Sequence, residues 1–134
     1  MTIVGLDPGT RKVGFAVTGD AGGPPVALGI VPVEGLEARL HELIGLHGIG
    51  LAAVGRGTNA SVVTAVVRAL GLPMALVDER ETTLLARARF FADHPPRGWR
   101  RLLPRGMLVP DRPIDDYAAL LIAERYLAAA GGAP

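Results

Sequence analysis

The acidic side chains of this chain recur where predicted strands end and where the last predicted helix begins. Asp7 closes the first apolar run, Asp78 and Glu79 close the last strand-like run, and Asp115 and Asp116 open the final helical segment. The carboxyl ends of parallel strands, where loops gather, form the reactive edge of an α/β sheet. Carboxylates brought together repel one another, and a hard divalent cation relieves that repulsion. The distribution predicts a Mg²⁺ or Mn²⁺ site.

Such a site has a specific chemical use. Two divalent ions about 3.5 to 4 Å apart can activate a water molecule and neutralise the leaving oxygen in phosphodiester hydrolysis. The acids therefore favour a nuclease. Other catalytic classes lack their residues: cysteine is absent, which excludes thiolate nucleophiles, and no phosphate-binding G-x-x-x-x-G-K-[ST] loop or serine-nucleophile elbow occurs.

Backbone geometry separates the acids of each neighbouring pair. Adjacent side chains of a strand face opposite sides, so Asp78 and Glu79 cannot both face one site without a backbone distortion. At about 100° per helical residue, Asp115 lies at the margin of the predicted inward stripe and Asp116 nearly opposite its centre. That stripe consists of Ile114, Ala118, Leu121 and Arg125. We expect Asp115 to lean over the sheet edge, or merely to complement the helix dipole, and Asp116 to face solvent.

Composition indicates one folded domain. The chain has 134 residues, 49% of them hydrophobic, and 14 basic against 13 acidic side chains give a net charge of +1. A chain of this size can bury a core without disulfides, so we expect a single domain over residues 1–134. Without a signal-peptide pattern or an apolar run of about 18 residues, the sequence predicts a cytosolic protein with no membrane partner.

Periodicity predicts an α/β fold. Strands are predicted at 2–7, 13–18, 26–33, 51–55 and 74–78, and helices at 36–47, 62–70, 84–93 and 114–130. The first three strands form an antiparallel meander, and right-handed crossovers place the last two parallel to the first. The expected architecture is a mixed five-stranded sheet with helices on both faces. Residues 95–113, rich in proline and arginine, are predicted to form a loop.

Three stretches resemble the motifs of the YqgF/RuvX family of Holliday junction resolvases, in the RNase H-like superfamily. They are residues 7–16 (DPGTRKVGFA), 77–83 (VDERETT, against D-E-R-x-T-T) and 114–119 (IDDYAA, against I-D-x-x-A-A). The resemblance implies an RNase H-like fold, with Asp7, Glu79 and Asp115 as catalytic, metal-binding carboxylates. It leaves Asp78 as an auxiliary ligand or a partner for Arg80.

The chain departs from the family after its fourth strand. A G-x-P segment is usual there, and this sequence has Gly55-Arg56-Gly57-Thr58-Asn59, in which Arg56 is a candidate phosphate contact. Related RuvC resolvases also end that strand with a glutamate, which this chain lacks. In the first turn, Arg11 and Lys12 can either hold a phosphate or balance the nearby acids.

Arginines cluster late in the sequence. Between residues 87 and 112, seven arginines against two aspartates give a local excess of +5 (7 − 2) in a chain whose total is +1. Arg97, Arg100, Arg101 and Arg105 surround Trp99, supplying cations for phosphates and an aromatic face for an unpaired base. Alternatively, Trp99 and Leu102-Leu103 pin the loop to the body while the arginines stay solvated.

The leading hypothesis is a metal-dependent endonuclease acting on structured nucleic acid. The family resemblance implies a four-way DNA junction or pre-16S ribosomal RNA as substrate, and a resolvase acting on two symmetric strands predicts a homodimer. One alternative is a catalytically silent RNA-binding or ribosome-binding module with the same fold. Another, an actin-like kinase, shares the Asp-Pro-Gly-Thr hairpin, but those enzymes close two such domains around ATP and this chain supplies one.

Overall fold

The computed structural model describes residues 1–19, 24–57, 59–79, 82–103, 110 and 112–131. After an initial three-strand meander, helices and strands alternate until two consecutive helices end the series of described elements. In chain order they are β1 (Ile3–Pro8), β2 (Lys12–Thr18), β3 (Ala27–Pro32), α1 (Leu36–His47), β4 (Leu51–Arg56), α2 (Ala60–Ala69), β5 (Met74–Asp78), α3 (Thr82–Asp93) and α4 (Asp115–Gly131). Two short 3₁₀ helices cover Val33–Gly35 and Gly98–Leu102.

The five strands form one mixed sheet in the order β3-β2-β1-β4-β5. β1 pairs antiparallel with β2, and β2 with β3, whereas β1, β4 and β5 run parallel. The predicted arrangement of three antiparallel and two parallel strands is confirmed. Because β1 is central, its carboxyl end opens beside the ends of β4 and β5, which is where an α/β sheet presents its reactive loops.

Alternation along β1 sorts its side chains between two helical layers. Val4 and Leu6 enter the main core, where the buried faces of α1 and α2 pack. Ile3 points to the opposite face and packs against α4. Asp7 lies four residues after Ile3 and therefore shares the α4 face, so the strand directs its one carboxylate toward the last helix.

Two glycines let α4 lie directly on the sheet. A Cβ at Gly5 would overlap the backbone carbonyl of Ala119, and a Cβ at Gly14 would overlap that of Asp115. Gly14 is also the register partner of Asp7 across the β1–β2 ladder. The missing side chain at Gly14 thus allows the first turn of α4 to settle beside the end of β1.

The observed boundaries differ from the predicted ones mainly at helix starts. α3 begins at Thr82, two residues before the prediction, because the Thr82 hydroxyl donates to the carbonyl of Glu79 at 2.6 Å and the Thr82 amide donates to it at 3.2 Å. The segment 95–113, predicted as loop, contains the 3₁₀ helix Gly98–Leu102. No helix in the described ranges is both long and apolar enough to traverse a bilayer.

Candidate active site

A cavity of about 240 Å³ opens where β1, β5 and α4 meet. Asp7 reaches it from the end of β1, Glu79 from the residue after β5, and Asp115 from the first position of α4. Thr82, Ala86, Ile114 and Ala118 complete its lining. Residues separated by up to 108 positions thus line one small cavity.

Asp7 is the most strongly perturbed carboxyl in this cavity. Its pKa is raised from 3.8 to about 7, chiefly by burial and in addition by the nearby charges of Asp115 and Glu79. Removing water and adding like charges both disfavour the ionised form of an acid. The cavity is therefore a place where positive charge is favoured.

Glu79 lies over two glycines at the end of β4. A Cβ at Gly55 would come within 2.6 Å of Glu79 Oε2, and one at Gly57 within 2.5 Å of Oε1. Burial, and secondarily the charge of Asp78, raises the pKa of Glu79. Asp78 itself is exposed, and its backbone carbonyl accepts a hydrogen bond from Arg125 Nη1 at 2.7 Å. Glu79, rather than Asp78, lines the cavity; Arg80 falls outside the described residues.

Asp115 is paired with a lysine from the first hairpin. Lys12 Nζ lies 3.3 Å from Asp115 Oδ2, and both side chains are partly exposed. The sequence left Lys12 open between holding a phosphate and balancing the acids. In this structure Lys12 offsets the charge of Asp115.

Asp116 does not face solvent, contrary to the prediction. It is only 6% exposed, its Oδ1 accepts the backbone N–H of Tyr117 at 2.9 Å, and Arg112 contacts both its oxygens at 3.3 and 3.4 Å. The predicted inward stripe was misplaced. The close contacts of Gly5 and Gly14 turn a different face of α4 toward the sheet, with Ala119, Leu120, Ile122 and Ala123 fully covered.

Carboxylate oxygens are the ligands that Mg²⁺ and Mn²⁺ prefer, so the three acids fit such an ion in chemical type. They do not converge as tightly as the sequence predicts. Within the ranges that the structure describes, no group of three or more acidic or histidine side chains is placed to hold one ion. Asp115 is paired with Lys12, and Glu79 lies against Gly55 and Gly57.

The predicted nucleic-acid contacts lie on two surfaces. Arg11 in the first turn and Arg56 at the end of β4 are exposed near the mouth of the sheet, with Arg56 in register with Asp78. The 3₁₀ helix Gly98–Leu102 carries the others. Arg97, which precedes it, and Arg101 are exposed, Arg100 is partly exposed, and Arg105 is outside the described residues.

Trp99 and Leu102 do not anchor this segment to the body. Their side chains are 71% and 81% exposed. The alternative in which these residues pin the loop is therefore wrong for both of them, and the aromatic face of Trp99 is available at the surface.

Sequence reasoning missed a second cavity next to the first. Its floor is an aromatic cluster in which His94 stacks on Phe90 with centroids 4.5 Å apart, and Tyr117 meets Phe90 edge-on at 5.6 Å. Tyr117 donates to Asp93 Oδ2 at 2.8 Å, and burial together with this bond raises the pKa of Tyr117 to about 12. The four-residue spacing of Phe90, near the end of a predicted helix, and His94, just after it, was the available signal.

Comparison with known proteins supports both the family resemblance and the fold. No family model matches the chain. Two curated proteins, each named "Putative pre-16S rRNA nuclease", are similar over nearly full length. The one from Pelotomaculum thermopropionicum is 33% identical, covering 98% of this chain and 89% of its own length. The one from Moorella thermoacetica is 32% identical, with coverages of 95% and 94%.

Solved structures show the same architecture. T. thermophilus RuvC in complex with a Holliday junction substrate superposes with a TM-score of 0.64 and 19% identity, over 98% of this chain and 97% of that chain. The Thermus thermophilus RuvC structure gives 0.60 and 18% over the same shares. At these identities the likeness shows the fold alone, and that fold is the RNase H-like one that the sequence predicts.

Proposed function

The chain belongs to the YqgF/RuvX family, and on that basis we propose that it is a divalent-metal-dependent endonuclease that hydrolyses phosphodiester bonds in structured nucleic acid. One observation carries the proposal. Three carboxylates from distant parts of the chain, Asp7, Glu79 and Asp115, line one cavity, and the pKa of Asp7 is raised to about 7. Perturbed acids gathered in a cleft are typical of catalytic sites.

Asp7, Glu79 and Asp115 would hold Mg²⁺ or Mn²⁺ after their carboxylates turn toward one another from the positions described above, with Asp115 leaving Lys12. The bound cation would lower the pKa of a water molecule and stabilise charge on the phosphate oxygens. Asp7 would supply an oxygen ligand from the α4 face of the sheet, where its strand holds it. Lys12, which pairs with Asp115 in this structure, would instead contact a substrate phosphate.

The surrounding cations would position the substrate. Arg11, on the β1–β2 turn, and Arg56, at the end of β4, are both exposed, and the arginines around Trp99 would extend the contact surface. Arginine matches phosphate geometry through paired N–H donors, so these residues suit backbone contacts. Trp99, exposed among them, would stack on an unpaired base.

Two substrates are compatible with this site. The curated relatives are named for pre-16S rRNA, and one structural neighbour is bound to a Holliday junction. A resolvase must present two active sites to two symmetric strands, so junction cleavage requires a homodimer, whereas rRNA processing does not. Sedimentation mass, measured alongside cleavage of a synthetic junction and of an rRNA precursor, separates the two roles.

The decisive variant is Asp7→Asn, which preserves size and removes the charge. We expect Mn²⁺-dependent cleavage to fall by at least about a hundredfold, the scale typical of single catalytic groups, while nucleic-acid binding is retained. Glu37→Gln, which neutralises an acid in the first turn of α1, is the matched control and should cleave normally. Undiminished cleavage by Asp7→Asn would refute the assignment.

A silent RNA-binding module with this fold makes the opposite prediction. It would bind an rRNA precursor but show no Mn²⁺-dependent cleavage of either substrate, and Asp7→Asn would change nothing. Metal binding gives a readout independent of activity. Mn²⁺ at about 100 times its dissociation constant should stabilise the wild-type protein by about 2.7 kcal/mol and leave Asp7→Asn nearly unaffected.

A further inference from the structure

We propose that the second cavity is a binding subsite for one unpaired nucleotide that flanks the scissile phosphate. This inference rests on the nuclease function proposed above and deepens it. The cavity has a volume of about 480 Å³, which falls in the range of roughly 300 to 1,000 Å³ that small ligands occupy. It lies at the C-terminal end of α3, whose first turns line the carboxylate cavity.

The lining of this cavity combines two kinds of side chain. Phe91, Pro95 and Pro96 are apolar, whereas Arg97, Arg100 and Arg112 are cationic. A nucleotide has the same two parts, a flat base and an anionic phosphate. The apolar side chains suit the base, and the arginines suit the phosphate.

The floor of the cavity is preorganised. His94 stacks on Phe90 with an angle of 19° between the rings, and its exposed imidazole offers a flat surface to a base. The guanidinium of Arg112 lies 5.1 Å from the centre of the Phe90 ring while it pairs with Asp116. Because these groups already hold one another, little ordering is needed when a nucleotide binds.

One acid also lines the cavity and constrains how a nucleotide lies. Asp93 Oδ2 accepts the hydroxyl of Tyr117 at 2.8 Å, which ties this carboxylate to the α4 side. A phosphate would be repelled there. The phosphate therefore belongs near Arg97 and Arg100, and the base lies toward His94.

The two cavities adjoin along one face of α3. Thr82 and Ala86 line the carboxylate cavity, and Phe90 and Asp93 line the second. These positions fall at i, i+4, i+8 and i+11, which is one helical face, and Ala86 and Phe90 are separated by about 6 Å along the axis. A strand whose scissile phosphate occupies the first cavity would therefore place a flanking nucleotide at the second.

The test compares two labelled hexanucleotides by fluorescence anisotropy in EDTA, so that no cleavage occurs. One carries six cytosines, and the other has the same backbone with every base removed. We expect the wild-type protein to bind the first at least about tenfold more tightly, since stacking of one base contributes on that scale. Equal binding of the two ligands overturns the proposal.

Two variants distinguish the contact with the base from the contact with the phosphate. His94→Ala should lower the ratio of the two affinities by at least about fivefold by weakening only the base-bearing ligand, while any stacking on Trp99 remains. Arg97→Ala should weaken both ligands alike, by about three- to tenfold at low salt, because it removes a phosphate contact. Both residues are exposed, so the fold should persist, and an unchanged melting temperature verifies this. Arg68→Ala, on the exposed side of α2, is the matched control.

Failure of this inference is distinguishable from failure of the proposed function. If His94→Ala leaves the affinity ratio unchanged, the subsite is refuted, even where the wild-type protein cleaves its substrate. If the wild-type protein never cleaves, the nuclease proposal fails, and base-dependent binding in EDTA still supports a nucleotide site.

Discussion

Burial and neighbouring charges disfavour the ionised form of Asp7, and this makes the free energy of unfolding depend on pH. Its folded pKa of about 7 lies above the ordinary 3.8, so the folded protein binds this proton more tightly than the unfolded chain does. The stabilisation is complete below about pH 4 and is lost as the pH rises through about 7. The difference corresponds to at most about 4 kcal/mol.

We therefore predict that metal-free wild-type protein becomes less stable between pH 5 and pH 8. Glu79, whose pKa is also raised, adds to the trend in the same direction. Asp7→Asn cannot ionise and should lose most of this dependence, becoming more stable than the wild-type protein at pH 8. Urea denaturation in EDTA at both pH values measures the effect. Parallel pH profiles for the two proteins would contradict the assignment of Asp7.

Some acidic residues of the site could be selected from the sequence, whereas the environment of Asp116 could not be predicted from it. Asp7 could be selected from its place at a strand end, whereas only the motif resemblance chose Glu79 over Asp78, because strand geometry shows that these two side chains diverge but not which of them faces the site. Asp116 could not, because its burial depends on Arg112 folding back across one helical turn and on how α4 rolls against Gly5 and Gly14. Those are tertiary contacts, and a helical period alone does not contain them.

Gly57 links the end of β4 to the orientation of Glu79. An added Cβ would lie 2.5 Å from Glu79 Oε1, and that atom is the far end of a flexible side chain. Gly57→Ala should therefore move the carboxylate without disturbing the backbone. We expect cleavage to fall at least tenfold while the free energy of unfolding changes by less than about 0.5 kcal/mol, as for an ordinary surface substitution. Normal cleavage by this variant would indicate that Glu79 is not held there.

Gly14, by contrast, determines how closely a whole helix, α4, approaches the sheet. Its Cβ would overlap the backbone of Asp115, which cannot move without displacing α4. Gly14→Ala should reduce stability by about 1 to 3 kcal/mol, the usual cost of overpacking, and abolish cleavage as well. Gly45→Ala in α1 is the control, because nothing lies within 4 Å of its added Cβ, and it should stabilise the helix by about 0.5 to 1 kcal/mol.

The elements themselves were largely predictable. The limits 36–47 of α1 follow from a stripe of leucines and a terminal glycine, and Gly48 does end the helix, with φ +64°. The start of α3 was missed, because Thr82 bonds to a carbonyl three residues earlier, which no apolar period reveals. The glycines at 5 and 14 were visible in the sequence. The close approach of α4 that they allow depends on the packing of distant segments, which the sequence does not show.

Across the whole molecule, the two faces of the sheet have different roles. α1 and α2 cover the larger apolar core, whereas α3 and α4 carry both cavities and continue into the arginines around Trp99. A net charge of only +1 cannot attract nucleic acid evenly over the surface. Binding must therefore depend on the local cations of the α3–α4 face.

Because the two faces differ, we predict that the salt dependence of nucleic-acid binding changes with the position of a removed arginine and not with the net charge alone. Arg100→Ala with Arg101→Ala, and Arg39→Ala with Arg68→Ala, each lower the net charge from +1 to −1 (1 − 2), the first pair near the cavities and the second on α1 and α2. Each lost phosphate contact lowers the slope of log affinity against log salt by about 0.9 for duplex DNA. The first pair should therefore flatten the slope for a four-way junction by nearly 2, and the second should leave it unchanged. Equal flattening by both pairs would mean that net charge, rather than a defined surface on α3 and its following segment, governs binding.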